Sequence, residues 1–173
     1  MSRFRFFLRT RYSECDAQKV VFNARYADYT DVACAEFFRA IGYEEQMRSG
    51  ELDYQLVKQT TEWRAPARYD QVLEISVRVH NIGTTSMTLT TEFRIADEER
   101  VIVTVETVYV HVDHNTLQKT PIPTALRAAL EQDVSNVTVD HAGHLRPITN
   151  GMDAPRSFWG ARCERIKEQS SYT

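Results

Sequence analysis

The sequence predicts an α+β protein: a curved antiparallel sheet of about five strands wrapped around one long helix, with a short C-terminal helix. Three observations predict it. One long segment near the N-terminus carries an apolar stripe of helical period. A single alternating segment precedes it. Four strand-like segments follow without another long helix between them. A lone helix must bury its broad apolar face, and a sheet that bends around it does so.

Each element has its own signal. Arg3 to Tyr12 has period two, with Phe4, Phe6, Leu8 and Tyr12 facing the core and Arg3, Arg5, Arg9 and Arg11 facing away. Ser13 to Phe22 connects this strand to Asn23, a residue type suited to cap a helix. Tyr26, Tyr29, Ala33, Phe37 and Ile41 recur at spacings of three or four, and Val32 and Phe38 widen the stripe. The helix therefore runs from Ala24 to Ile41, with Gly42 placed for a C-terminal cap. Glu44 to Glu51 reads as a polar connection. The strands are Tyr54 to Arg64, Val72 to His80, Ser86 to Ile95, and the β-branched run Val101 to Val112, expected to be buried on both faces for part of its length. A sheet that must curve is expected to contain bulges. Thr124 to Asp133 reads as a short helix capped by Thr124, with Leu126, Ala129 and Leu130 on its apolar face. Residues 134–173 show no periodicity, but Leu145, Ile148, Met152, Phe158 and Trp159 make them too apolar for a free tail. The domain is thus 1–133, and 134–173 is an extension expected to dock on it or on a neighbouring subunit.

Composition bounds the function. The 173 residues are one domain's worth, and 42% hydrophobic with 26% charged suits a globular core. A net charge of -3 argues against holding nucleic acid by bulk charge. Three scattered cysteines, Cys15, Cys34 and Cys163, argue against a disulfide framework or a zinc knuckle and for a reducing, cytoplasmic setting. No stretch approaches the ~18 apolar residues of a membrane span, and the N-terminus lacks the apolar run of a signal peptide.

Asp16 is the first candidate for chemistry. It precedes the long helix, whose first turn presents unpaired N–H groups carrying partial positive charge. Such a terminus polarises a carbonyl oxygen, and a nearby carboxylate attacks that carbonyl or activates water against it. An Asp between strand and helix is equally a turn former or cap. His111, Asp113 and His114, and again Asp140, His141 and His144, stand close in sequence, but residues three apart on a strand face opposite sides, so no metal site is expected. Cys34 falls on the buried stripe and reads as packing.

The run Tyr12-Ser13-Glu14-Cys15-Asp16-Ala17-Gln18-Lys19-Val20-Val21-Phe22-Asn23-Ala24-Arg25-Tyr26 resembles the signature of the hotdog-fold acyl-CoA thioesterases, in their 4-hydroxybenzoyl-CoA thioesterase-like branch. Trp63-Arg64-Ala65-Pro66-Ala67-Arg68-Tyr69-Asp70, Ile82-Gly83-Thr84-Thr85-Ser86 and Pro121-Ile122-Pro123 resemble later blocks of the same family, in the same order. The resemblance runs from about Arg9 to Leu130.

By that resemblance the protein hydrolyses an acyl-CoA thioester and needs no metal or redox cofactor. Asp16 matches the catalytic carboxylate, Asn23 the position whose backbone N–H polarises the thioester carbonyl, and Tyr26 the helix-opening Tyr. Asp31 stands where relatives often carry an acid. Lys19 departs from the family's usual Gly, and Asn23 from its usual His or Tyr. The resemblance further implies a site between subunits, hence a homodimer or a homotetramer, and basic residues for the CoA phosphates, with Lys58, Arg64, Arg68 and Arg78 as candidates. A hotdog dehydratase and a non-catalytic acyl-CoA-binding module remain as alternatives. The dehydratase usually pairs a His with its carboxylate, and no His precedes His80.

Overall fold

The computed structural model describes residues 4–132 and 134–145. The expectations placed on Arg3, Asp133, Ile148, Met152, Phe158, Trp159 and Cys163 lie outside them. In chain order the elements are β1 (Arg5–Arg9), a 3₁₀ turn (Tyr12–Glu14), α1 (Arg25–Ala40), α2 (Glu44–Ser49), β2 (Tyr54–Trp63), β3 (Val72–Ile82), β4 (Ser86–Ile95), β5 (Val101–His111), α3 (Thr124–Leu130) and β6 (Thr138–Asp140).

The strands form one sheet in the order β2-β5-β4-β3-β1-β6. All neighbours are antiparallel except β1 and β6. Register shifts at Leu56/Lys58, Val79/Asn81 and Phe93/Arg94 are the bulges that let the sheet curve. Helix α1 lies in the hollow. Its Tyr26 ring meets Phe93 of β4 edge to face at 5.3 Å, Phe38 stacks on Tyr54 of β2 at 5.1 Å, and Phe37 meets Phe4 at 5.7 Å. Burying each such ring contributes about 1.5–3 kcal/mol. This is the hotdog arrangement, a sheet rolled around one helix, with one strand more than expected.

The predicted stripe is the buried face of α1: Tyr26, Tyr29, Ala33, Phe37 and Phe38 are all buried, as is Ile41. Val32 is 41% exposed and does not widen it. The helix ends as expected. Gly42, at φ 86°, donates to the Arg39 carbonyl, and Tyr43 donates to that of Phe38, a closure only a left-handed residue permits.

Four further expectations are corrected. Tyr12 is 82% exposed, because β1 stops at Arg9 and the period ends with it. Residues Glu44–Ser49 form a helical turn and a half, held by the Arg48–Glu45 pair and closed by Gly50 at φ 76°. In β5, burial alternates except at Ile102 and Val103, where the bulge turns consecutive side chains inward. Pro123, not Thr124, precedes the first turn of α3. Residues 138–140 add a parallel strand at the β1 edge, and His141 and His144 fold back against Phe6 and Phe7 at 4.9 and 5.1 Å.

Candidate active site

The segment between β1 and α1 is a tight, self-bonded loop. Cys15 bridges Val21, and Asp16 sits at the first corner of the turn between them. The Asp16 N–H donates to the Val20 carbonyl at 2.9 Å, and the Asp16 carbonyl accepts the Lys19 N–H at 2.9 Å. Lys19 takes φ 63°. A type I turn followed by one left-handed residue closes in this way, and Gly is the usual choice at that last position. Lys19 adopts the Gly conformation without being Gly, so the loop shape survives the departure.

Within the loop, Asp16 Oδ1 accepts the Gln18 N–H at 2.8 Å. Asp16 Oδ2 has no donor among the described residues. The side chain therefore does both things the sequence left open: one oxygen caps the turn, and the other remains available.

Helix α1 opens as tightening turns rather than behind a side-chain cap. The Phe22 carbonyl accepts the Arg25 N–H at 2.9 Å and the Asn23 carbonyl accepts that of Tyr26 at 3.4 Å. The residue before the helix is Ala24, and no side chain caps it. This corrects the expected N-cap role of Asn23. It leaves the N–H groups of Asn23 and Ala24 without an acceptor among the described residues, at the end of the helix where partial positive charge collects.

Tyr26 and Val21 attach this corner to the connection after β2. The Tyr26 hydroxyl accepts the Ala67 N–H at 3.3 Å, while the Ala67 carbonyl accepts the Val21 N–H at 2.8 Å. Burial, countered in part by the bond from Ala67, keeps the Tyr26 hydroxyl above its ordinary pKa of 10.0, so it stays protonated. The Tyr29 hydroxyl, likewise raised by burial and by Glu14, donates to Glu14 Oε2 at 2.8 Å and braces the 3₁₀ turn.

A cleft of about 410 Å³ opens at this corner, lined by Asp16, Gln18, Val20, Val21, Phe22, Asn23, Tyr26, Trp63, Arg64, Ala65 and Pro66. Four of the seven predicted site residues, Asp16, Asn23, Tyr26 and Arg64, thus meet in one place. Arg64 is tethered at the rim by Thr104 Oγ1 at 2.6 Å and Glu62 Oε2 at 2.7 Å. Lys58, Arg68 and Arg78 are exposed and do not line the cleft. The sequence reading missed Trp63 and Phe22 as wall residues. They are 52% and 48% exposed, a cost that large apolar side chains seldom carry away from a binding surface.

Among the described residues no three His, Cys, Asp or Glu side chains converge to hold a metal. Asp113 spends its carboxylate on the N–H groups of Asn115 and Thr116, and His111 Nδ1 lies 2.8 Å from the Thr120 hydroxyl. Cys34 is 1% exposed, and burial pushes its thiol up to about 12.

A carboxylate, Asp16, and the residue Asn23 at the mouth of α1 thus line one walled cleft on a sheet rolled around a helix. The chain belongs to the thioesterase-like superfamily, whose sequence model it matches over residues 10–130. Its curated relatives include the acyl-CoA thioester hydrolase YbgC of Escherichia coli O6:H1, 30% identical over 131 residues that span 75% of this chain and 96% of that one. Two solved structures share the fold. One, from Aquifex aeolicus, superposes with a TM-score of 0.68 at 24% identity over 74% of this chain and 99% of its own. The other, a 1,4-dihydroxy-2-naphthoyl-CoA thioesterase from Synechocystis, does so with a TM-score of 0.63 at 15% identity over 73% and 95%. Among the described residues no helix is long and apolar enough to cross a membrane.

Proposed function

We propose that this protein is an acyl-CoA thioesterase, releasing a free acid and CoA in the cytoplasm. The observation that carries the reading is that Asp16 and Asn23, whose N–H has no acceptor among the described residues, line one cleft at the mouth of α1. The family membership and the activity named for the 30% identical relative point the same way.

In this reading the thioester carbonyl oxygen sits on the two amides. Asp16 takes the proton of a water adding to the carbonyl carbon, or adds to that carbon itself. Negative charge grows on the oxygen, and amides that bond it there stabilise the transition state more than the ground state. The intermediate collapses with cleavage of the C–S bond, and the electron pair leaves on sulfur; where Asp16 itself has added, water then hydrolyses the acyl–Asp16 anhydride, releasing the acid and restoring the carboxylate. A thiol of ordinary pKa ≈ 8.5 is a good leaving group, so no metal or other cofactor is needed to assist it. Tyr26 positions the wall through Ala67, and Arg64 stands at the rim for a phosphate. Lys58, Arg68 and Arg78 would contact CoA only from outside the cleft.

The test is thiol release from a panel of acyl-CoA esters by wild type and Asp16→Asn. Asparagine keeps the Oδ1 acceptor for the Gln18 N–H and removes the charge, so turnover should fall by about 10²–10⁴-fold with the fold intact. Equal rates in the two proteins would overturn the assignment of Asp16. Hydration of a crotonyl thioester by the wild type would favour the dehydratase. Among the described residues no His lines the cleft to support that chemistry.

The protein works as a homodimer or homotetramer in this proposal. Strand β2 is ten residues long, pairs only with β5 among the described strands, and exposes Leu56 and Val57 at 52% and 57%. An unpaired strand edge of this length that exposes large apolar side chains is a template for a second copy. Light scattering that returns a monomer at micromolar concentration would remove this part.

A further inference from the structure

At one side of the sheet only the three residues of β6 stand between β1 and solvent. We propose that residues 137–145 are an edge guard: they hold the pairing face of β1 that would otherwise take β1 of a second copy of this chain. The proposal goes beyond the reaction and does not depend on it. The family match ends at residue 130, before this segment begins.

The first argument is what the guard covers. Phe4-Arg5-Phe6-Phe7-Leu8 puts three aromatic rings and a leucine around one cation. A short run of high β-propensity and low charge pairs with its own copies when its edge is open. Here the edge is spent within the chain. The Arg5 N–H donates to the Val137 carbonyl at 3.1 Å, and the Phe7 carbonyl accepts the His141 N–H at 3.0 Å. Between them Phe6 pairs in register with Val139.

The second is the way the segment grips. Successive residues of a strand face opposite sides of the sheet, so Phe6 and Phe7 point to opposite faces. The His141 ring packs on Phe6 and the His144 ring on Phe7. Nε2 of His141 lies 3.7 Å from Glu36 of α1, and that of His144 3.4 Å from Asp97 in the turn after β4. The segment therefore closes over the strand from both faces, and both phenylalanines are buried.

The third is how the guard itself ends. Strand β6 pairs only with β1 among the described strands. The Asp140 carboxylate then gathers the N–H groups of Ala142, His144 and Leu145, and Gly143 turns the chain at φ 67°. A short strand that ends in a turn is a poor template for further pairing. The opposite edge, β2, has ten residues and no such cover among the described residues. With both edges open, copies would join at either side and the assembly would not close. With β6 in place, only β2 is left to pair.

The experiment measures assembly mass by light scattering on the full chain, over a range of concentrations, for wild type, Val139→Pro and Asp140→Ala. Proline has no N–H and a fixed φ, which an interior ladder position does not tolerate. Asp140→Ala removes the cap and leaves the backbone able to pair. The mass should rise about twofold or more above wild type in Val139→Pro, since each opened edge joins two assemblies, with a smaller rise in Asp140→Ala. Wild-type mass in both variants overturns the guard. Tyr26→Phe, which loses the bond from Ala67 and leaves β6 untouched, is the stability control, compared at urea concentrations that give equal unfolded fractions. Its mass should stay at the wild-type value; equal growth there would trace the growth to unfolded chain and also overturns the guard. Hydrogen exchange reads the joint itself. In the larger species the Arg5 amide should stay protected while the His141 amide exchanges freely. An Arg5 amide that exchanges freely in those species overturns pairing through β1.

Discussion

The Tyr26 hydroxyl accepts the N–H of Ala67, forty-one positions away in the chain, at 3.3 Å. Ala67 is wholly buried, and its carbonyl is taken by Val21. One buried residue therefore holds the start of α1, the Asp16 loop and the turn before β3 in a fixed relation. Tyr26→Phe would leave the Ala67 N–H buried without a partner. We expect a loss of about 1–3 kcal/mol in urea unfolding. The Tyr26 phenol is protonated throughout the working range, so the pH–rate profile should keep its shape. Loss of an ionising limb would contradict the positioning role.

Lys19→Gly should stabilise the protein. A residue with a Cβ at φ 63° carries a left-handed cost of about 1–2 kcal/mol, against about 0.4–1 kcal/mol of extra unfolded-chain entropy for Gly. The balance is about 0.5–1 kcal/mol, read as a higher midpoint in thermal unfolding. A lower midpoint would mean that the Lys19 side chain does something the turn geometry does not require.

Alkaline pH should unfold the protein steeply. Burial raises Tyr26, Tyr29 and Tyr109 above 10.0 and pushes Cys34 from 9.0 up to about 12. A folded-state pKa above the unfolded one means that the native state holds the proton more tightly. The stability from each group is complete below its unfolded value and is lost as pH rises through its folded one. Cys34 begins the decline near pH 9 and the tyrosines join above pH 10, each at about 1.4 kcal/mol per pH unit. Denaturant midpoints measured from pH 8 upward should fall in that order. A flat profile through that range would contradict the burial of these groups.

Asp140→Ala should loosen the sheet edge without touching the reaction cleft. The Asp140 carboxylate accepts the N–H groups of Ala142, His144 and Leu145 at 3.0, 3.1 and 2.9 Å. Burial opposes its charge, but these bonds outweigh burial and hold it below its ordinary 3.8. Its contribution is present above pH 3.8 and is lost as pH falls through the lowered value. We expect a cost of about 1 kcal/mol at neutral pH, the scale of a lost cap, with faster hydrogen exchange at the Arg5 and His141 amides that tie this segment to β1. Unchanged exchange there would show that the pairing of β6 does not depend on the cap.

The limits of the elements divide by the range of the forces that set them. Helix α1 was legible within a residue at each end, because its stripe repeats over four turns and Gly42 closes it. The strands from Tyr54 to Val112 were legible for the same reason, with period two. Helix α2 was not, since a turn and a half of charged residues has no face to repeat. Tyr12 misled because alternation continued in the letters after β1 had ended in space. Asn23 misled because a good capping side chain stood beside a helix that opens through backbone turns instead.

Within the site, Asp16, Asn23 and Tyr26 were found together because their spacing in one motif is tied to one loop and the helix it opens. Lys58, Arg64, Arg68 and Arg78 were all chosen for charge; charge carries no direction, and of the four Arg64 alone lines the cleft.

By itself the sequence determined that a helix of this length exists, that strands follow it, and that an Asp precedes its mouth, since all three are local patterns of size and polarity. The tertiary structure alone decided that Ala67 would be pinned between Tyr26 and Val21, that residues 138–140 would extend the β1 edge, and that His141 and His144 would close on Phe6 and Phe7. Those are meetings between distant stretches of chain, and they depend on how far the sheet curves, which no single segment encodes.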